Sequence, residues 1–223
     1  MKLMLAVATA KQQETAAFKK WFGKSKVVGK DGRPLRVYHG TTQSFRQFDA
    51  IHIPKGNNEN GIGFYFTDNP EWSKGYAGGE GGNTIPVYLK ILKPINYHRQ
   101  PEATATQIQK LTGAVGLKAF NNFLRNNYGS ETPAQVEMHK REYRETMVGM
   151  DLLAAADNIY MDLYDGEPKA HMFAEIFKAA TGYDGVIIQR HEGTNYVVFT
   201  PTQIKSAIGN KGTFKPRTAA IDE

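Results

Sequence analysis

Two stretches decide how this chain reads: Tyr38-His39-Gly40-Thr41, and Gly63-Phe64-Tyr65-Phe66-Thr67-Asp68-Asn69 followed by Ser73 and Tyr76. In the first, a β-rich segment runs into a histidine and then a Gly-Thr step. In the second, a short aromatic strand behind a glycine carries Tyr65. Asn69-Pro70-Glu71 then has the form of a helix start, with Asn69 as cap and Pro70 at the first position. Ser73 follows Tyr65 by eight residues and Tyr76 follows it by eleven. A strand that turns into a helix at that spacing brings Tyr76 back over the pocket that Tyr65 lines.

The chemistry of these residue types is specific in combination. Gly40 has no side chain, so a ligand can approach its backbone and bond to its N–H and C=O. Thr41 and Ser73 supply hydroxyls. Two phenol faces suit a planar cation such as nicotinamide, held by stacking and cation–π attraction. A single His-Gly-Thr or a lone strand tyrosine is usually structural; the ordered set carries the reading.

Outward from these motifs, residues 12–23 read as a basic amphipathic helix ended by Gly23, with Trp21 and Phe22 sealing a core. Short strands are expected at Lys26–Val28 and Leu35–Tyr38 around a turn at Gly29–Gly32. Residues 49–61 read as a loop suited to a lid, and Gly78–Gly82 as a flexible loop. A strand at Thr84–Leu92 closes at Pro94. Helices are expected at roughly 104–112, 116–127, 133–148, 150–163 and 168–180, the third with a charged face formed by Glu137, Lys140, Arg141, Glu142, Arg144 and Glu145. Strands return at Gly185–Gln189 and Tyr196–Phe199, then a short helix or bend at 201–206 and a polar, glycine-containing tail from Gly209 whose last residues are expected to be loose. The fold class is α+β: one domain over 1–223 with a helical insertion at about 102–180.

Composition narrows the options. The chain has 223 residues, 40% of them hydrophobic and none of them cysteine. Disulfides, cysteine nucleophiles and thiolate metal sites are therefore excluded. The six histidines share no metal-ligand spacing, and no metal is expected. No apolar run nears the ~20 residues of a membrane span. Met1–Ala10 has the outline of a short export signal, but a cytoplasmic monomer is the expectation. The net charge of +6 is concentrated early, with ten Lys/Arg against two acids in residues 1–46. Such a lobe suits nucleic acid, an acidic protein or pyrophosphate, or is a solvated face.

The ordered motifs resemble the ADP-ribosyltransferase superfamily, in its diphtheria-toxin and poly(ADP-ribose) polymerase branch, and are similar to transferase domains of phage and mobile-element polyvalent proteins. Tyr38-His39-Gly40-Thr41 resembles the first motif, Gly63 through Tyr76 the second, and Thr194-Asn195-Tyr196-Val197-Val198-Phe199 with Gln203-Ile204 the third. The resemblance covers roughly 33–95 and 181–216. It implies a split β-sandwich of two small sheets gripping NAD as co-substrate. By that analogy His39 bonds the adenine-side ribose, Gly40 holds the nicotinamide carboxamide through its backbone, Ser73 bonds the same group, and Thr41 and Gly63 are further cofactor-binding residues. Tyr65 and Tyr76 sandwich the ring. The reaction implied is loss of nicotinamide through an oxocarbenium-like state and transfer of ADP-ribose to a protein or nucleic acid.

The third motif departs from the pattern. Where the family usually has glutamate, this chain has Asn195. Asparagine accepts a ribose hydrogen bond but carries no charge and cannot act as a base. One-unit transfer is therefore expected rather than chain elongation. Glu192, the nearest acid, reads as an exposed loop residue, and Gln203 as a helix-start residue. Asp68 is expected to bond within its own turn, Asp184 to form a turn before Val186, and His191 to face solvent. Lys205, Lys211 and Lys215 either contact phosphates or form a solvated tail. NAD hydrolysis, RNA 2′-phosphotransfer and a catalytically silent binding module are the alternatives.

Overall fold

The computed structural model describes residues 12–53, 63–78, 82–129, 132–167 and 169–223. The signal-like start and most of the expected lid lie outside the described residues, as does the centre of the 78–82 loop. The chain divides into two compact units. One comprises the segments up to His52, Gly63–Tyr97 and Asp184–Glu223; the other is built on His98–Tyr183.

The first unit carries a seven-stranded sheet. Its strands are β1 (Val37–Thr41), β2 (Phe64–Thr67), β3 (Asn83–Leu89), β4 (Pro94–Asn96), β5 (Gly185–Arg190), β6 (Gly193–Val198) and β7 (Ile204–Ser206). Their order is β4-β5-β6-β2-β1-β3-β7. Every neighbouring pair is antiparallel except β4–β5. The expected mixed α and β class is therefore present, with both strand-rich ends of the sequence joined in one sheet.

The ladder is uneven. β1 pairs with β3 over five residues, Val37↔Val87 to Thr41↔Asn83. β2 pairs with β6 over four, Phe64↔Val198 to Thr67↔Asn195. Between β1 and β2, at the centre of the sheet, one pair alone is registered, Tyr38↔Thr67.

Among the described residues, two short helices belong to this unit. In α1 (Ala16–Phe22) the Thr15 hydroxyl accepts from Phe18 N–H, and Gly23, at φ 58°, ends the helix where an L side chain would be strained. Phe18, Trp21 and Phe22 are buried with Tyr88, Ala207 and Phe214, so the expected core role of Trp21 and Phe22 is what the structure shows. In α2 (Pro70–Tyr76) Asn69 Oδ1 accepts from the N–H groups of Glu71 and Trp72.

Several local expectations shift. The strand expected at 26–28 reduces to a single bridge, Val28↔Pro34. Lys26 N–H bonds Ile91 C=O instead, which draws the first arm of that hairpin towards the end of β3. Pro94 does not merely close a strand; it opens β4 at the sheet edge, where its missing N–H leaves no gap inside a ladder. Residues 201–203 form one 3₁₀ turn, and β7 follows. Gln203 is buried with both ends of its amide engaged: Oε1 accepts from Phe199 N–H and Thr200 N–H, and Nε2 donates to Lys90 and Asp184 carbonyls. The Asp184 carboxylate accepts from Leu92 and Lys93 N–H, a bond across the unit rather than a local turn.

The tail is docked rather than loose. Ile221 C=O accepts from Ser206 N–H and its N–H donates to Arg46 C=O, while Gln47 bridges Ala220. Lys205, 0% exposed on β7, donates from Nζ to Thr218 and Ala220 carbonyls. A buried ammonium needs acceptors, and the returning backbone supplies them. Composition cannot show this, because the driving groups are carbonyls.

The second unit is helical: α3 (Ala105–Ala114), α4 (Leu117–Tyr128), α5 (Pro133–Met147), α6 (Leu152–Ile159) continuing into a π-helical turn at Tyr160–Tyr164, and α7 (Phe173–Thr181). Thr104 with Gln107 and Thr132 with Gln135 form capping boxes. The charged face expected on α5 is incomplete. Lys140 is buried beside Glu137, and Arg144 Nε donates to the buried Thr112 hydroxyl; the Lys140 ammonium and the Arg144 guanidinium both lie over the Phe120 ring, 5.9 and 5.3 Å from its centroid.

Burial lowers the Lys205 pKa from the ordinary 10.5 to about 8. Between those values the unfolded chain holds more protons than the folded one, so this group makes stability rise with pH. Wild type is expected to gain stability from pH 8 to 10.5 relative to Lys205→Met, measured by urea unfolding at each pH.

Candidate active site

His39 lies one residue beyond the lone β1–β2 pair, where the ladder opens. Its Nδ1 is 2.8 Å from the Tyr65 carbonyl oxygen. A carbonyl only accepts, so Nδ1 carries the proton and Nε2 of the neutral ring is left as an acceptor. The side chain thus meets a backbone group that no registered β1–β2 pair serves. The ring packs against Phe48 (5.0 Å between centroids), Phe66 (5.4 Å) and Phe45 (6.2 Å). Desolvation by this aromatic wall lowers the His39 pKa below 6.5, only partly offset by the bond to Tyr65. Burial therefore favours the neutral imidazole.

Strand alternation sorts the remaining side chains. Tyr65 opposes Val197 and Thr67 opposes Asn195, so Tyr65, Thr67 and Asn195 share one face of β2–β6. Phe66, and the His39 ring packed on it, belong to the other. Asn195 is 8% exposed. No described residue hydrogen-bonds its side-chain amide, which leaves an acceptor and a donor available. Its neighbour Tyr196 is held as a neutral phenol, its pKa pushed up to about 12 by burial and by the nearby Asp68 charge.

Helix α2 is seated on β1. A Cβ at Gly40 would lie 1.8 Å from the Ser73 carbonyl oxygen. On the side where a Cβ would lie, Gly40 is approached closely by a helix backbone. Ser73 is buried, and its hydroxyl lies 2.9 Å from the Pro70 carbonyl and 3.2 Å from the Thr84 hydroxyl. At the far end of the same helix Tyr76 is 74% exposed, a ring presented to solvent. Thr41 ends β1 with its hydroxyl accepting from Gln43 N–H. Gly63 precedes β2 where a Cβ would meet Val197 and Val198 O at 2.6 Å. The fold thus gathers β1, β2, β6 and α2 around the central opening. It separates the His39 ring and the Tyr65 side chain by strand face.

Asp68 does not stay within its own turn. Its Oδ1 accepts from Thr194 N–H at 2.8 Å, and its N–H donates to Thr194 C=O. Asn69 Nδ2 donates to Glu192 C=O. A Cβ at Gly193 would fall 2.7 Å from Asp68 Oδ1. The Tyr65 strand therefore grips the residues just before Asn195, a link of 126 positions. The signal was there: a carboxylate directly after one motif and a glycine two residues before the key position of another. Glu192 and His191 are exposed. Among the described residues, no three His, Asp or Glu side chains gather as metal ligands would, and no helix is long and apolar enough to cross a membrane.

Asp68→Ala should destabilise the protein by roughly 1–3 kcal/mol, the usual cost of stranding a partner of a charged acceptor. Chemical denaturation measures it, and amide exchange at Thr194 should accelerate in step.

Comparison with known proteins follows the same residues. No curated protein matches the chain. A solved structure titled "Crystal structure of an anti-CRISPR protein" is similar over 73% of this chain and 88% of its own, at 12% identity and a TM-score of 0.28, a level that carries no argument. The family described as ADP-Ribosyltransferase in polyvalent proteins matches residues 29–214, which hold every motif residue placed above. The chain belongs to that family.

Proposed function

We propose that the protein is an NAD-dependent mono-ADP-ribosyltransferase that cleaves the nicotinamide–ribose bond and transfers ADP-ribose to a macromolecular acceptor. The observation that carries the reading is the opening of the ladder after Tyr38↔Thr67, with His39 on one lip and Tyr65 on the other. In this reading the opening divides the sheet into β4-β5-β6-β2 and β1-β3-β7, two small sheets with the dinucleotide at their junction.

The residues present fit NAD as co-substrate. His39, protonated on Nδ1, offers Nε2 to a ribose hydroxyl. The exposed Tyr76 ring and the Tyr65 ring supply aromatic surface for a planar cation. Asn195 offers its amide oxygen to the ribose next to the nicotinamide. Gly40 and Ser73 act as the helix seat that places Tyr76; Thr41 and Gly63 shape the strand ends. The protein orients the leaving bond and surrounds the developing cation with oriented dipoles rather than a carboxylate. Without a basic side chain at 195 the site suits one transfer rather than polymer growth. The acceptor class, protein or nucleic acid, is read from the identity of the labelled product.

Incubating adenylate-labelled NAD with purified protein and a cell extract tests the proposal. Label in a macromolecule together with released nicotinamide is expected. His39→Ala should lower the rate at least ~100-fold and Asn195→Ala at least ~10-fold, each tenfold corresponding to about 1.4 kcal/mol. Free ADP-ribose with no labelled macromolecule would replace transfer by hydrolysis. No nicotinamide release at all would leave a binding module. Because burial lowers the His39 pKa, NAD affinity should be highest where Nε2 is unprotonated and fall as the pH drops through that lowered pKa and Nε2 gains a proton. Calorimetric titration across pH reads that directly.

A further inference from the structure

The segment that follows β1 holds His39 in place, yet it has little regular structure of its own. Phe48 is buried, and its ring lies 5.0 Å from the imidazole, 5.4 Å from Phe64 and 5.5 Å from Phe66. The backbone just before it is anchored from elsewhere. Ile221 N–H donates to Arg46 C=O at 3.0 Å, and Ala220 bridges Gln47. Residues 218–221 are in turn fixed to β7. Lys205 Nζ donates to Thr218 C=O at 3.0 Å and Ala220 C=O at 2.8 Å, Ser206 N–H donates to Ile221 C=O at 2.8 Å, and Asn210 Nδ2 donates to the same carbonyl.

These contacts form an unbroken relay: Lys205, the 218–221 strap, Arg46–Phe48, then the His39 ring. We infer that Lys205 is a positioning residue for His39, acting through the strap and Phe48 to keep the imidazole against the Tyr65 carbonyl. A fully buried ammonium with two carbonyl acceptors is costly unless paired, so it strongly favours the docked path of the strap over any other. The strap covers part of the outer edge of β7, and its grip on Arg46 transmits that fixed position to the aromatic wall. The inference deepens the transferase reading, since His39 is the residue that reading assigns to a ribose, but the relay is defined without NAD.

The test follows His39 itself. Imidazole resonances are assigned with His39→Gln, and the His39 titration is recorded in wild type, Lys205→Met and Ile221→Pro. Ile221→Pro removes the N–H that bonds Arg46 and leaves Lys205 intact; Ile221→Ala keeps that N–H. Lys215→Ala, which loses only an exposed ion pair with Glu223, is the control. In Lys205→Met and Ile221→Pro the His39 pKa should rise towards 6.5 as the aromatic wall loosens, with Ile221→Ala shifted less and Lys215→Ala unchanged. If Lys205→Met does not fold, Ile221→Pro against Ile221→Ala gives the same readout. In turnover, the two strap variants should raise the NAD KM about 5–10-fold while changing kcat less than twofold. An unchanged His39 titration in folded Ile221→Pro overturns the inference. Absence of NAD turnover in wild type would count against the transferase reading alone, because the titration still reports on the relay.

Discussion

The sheet depends on what happens at one carbonyl. Past Tyr38↔Thr67 the β1–β2 ladder is unregistered, and at the centre of the sheet the Tyr65 C=O is met by the His39 imidazole N–H. A buried carbonyl without a partner would be expensive, so the opening and the histidine are one device. Two consequences follow from the same bond: the tautomer of His39 is set, and its ring is held against Phe48 and Phe66; burial, against the pull of this bond, is what favours the unprotonated Nε2.

Around that point the structure uses long-range polar contacts where a local reading expects local ones. Asp68 grips Thr194, Asp184 serves the backbone after β3, and Gln203 ties Lys90 to Asp184. Each joins a segment before the helical middle of the sequence to one after it. They reinforce the register that the buried strand faces already favour, since a slip of one residue would also strand a carboxylate or amide.

This explains what could be read beforehand. Element types followed from periodicity, glycine and proline, which is why α2 begins at Asn69-Pro70 and the five helices of the middle lie close to their expected spans. The tyrosine spacing and Asn195 were legible because motif residues are close in sequence or have a family pattern. The single-pair junction was not, because register is a property of two strands that no run of one chain displays. The β7 strand and the docked tail were hidden for a related reason: three residues and a few carbonyls have no periodicity. The missing side chain of Gly40 is legible in the sequence; that a helix backbone fills the space beside it is not.

That last contact has a consequence for how the site can vary. With a helical carbonyl lodged where a methyl would be, α2 and β1 cannot slide past one another without a collision, so the exposed phenol at the helix end inherits the rigidity of the central strand. Changes in the ring at position 76 alter what is presented; where it is presented is dictated by a hydrogen atom at position 40.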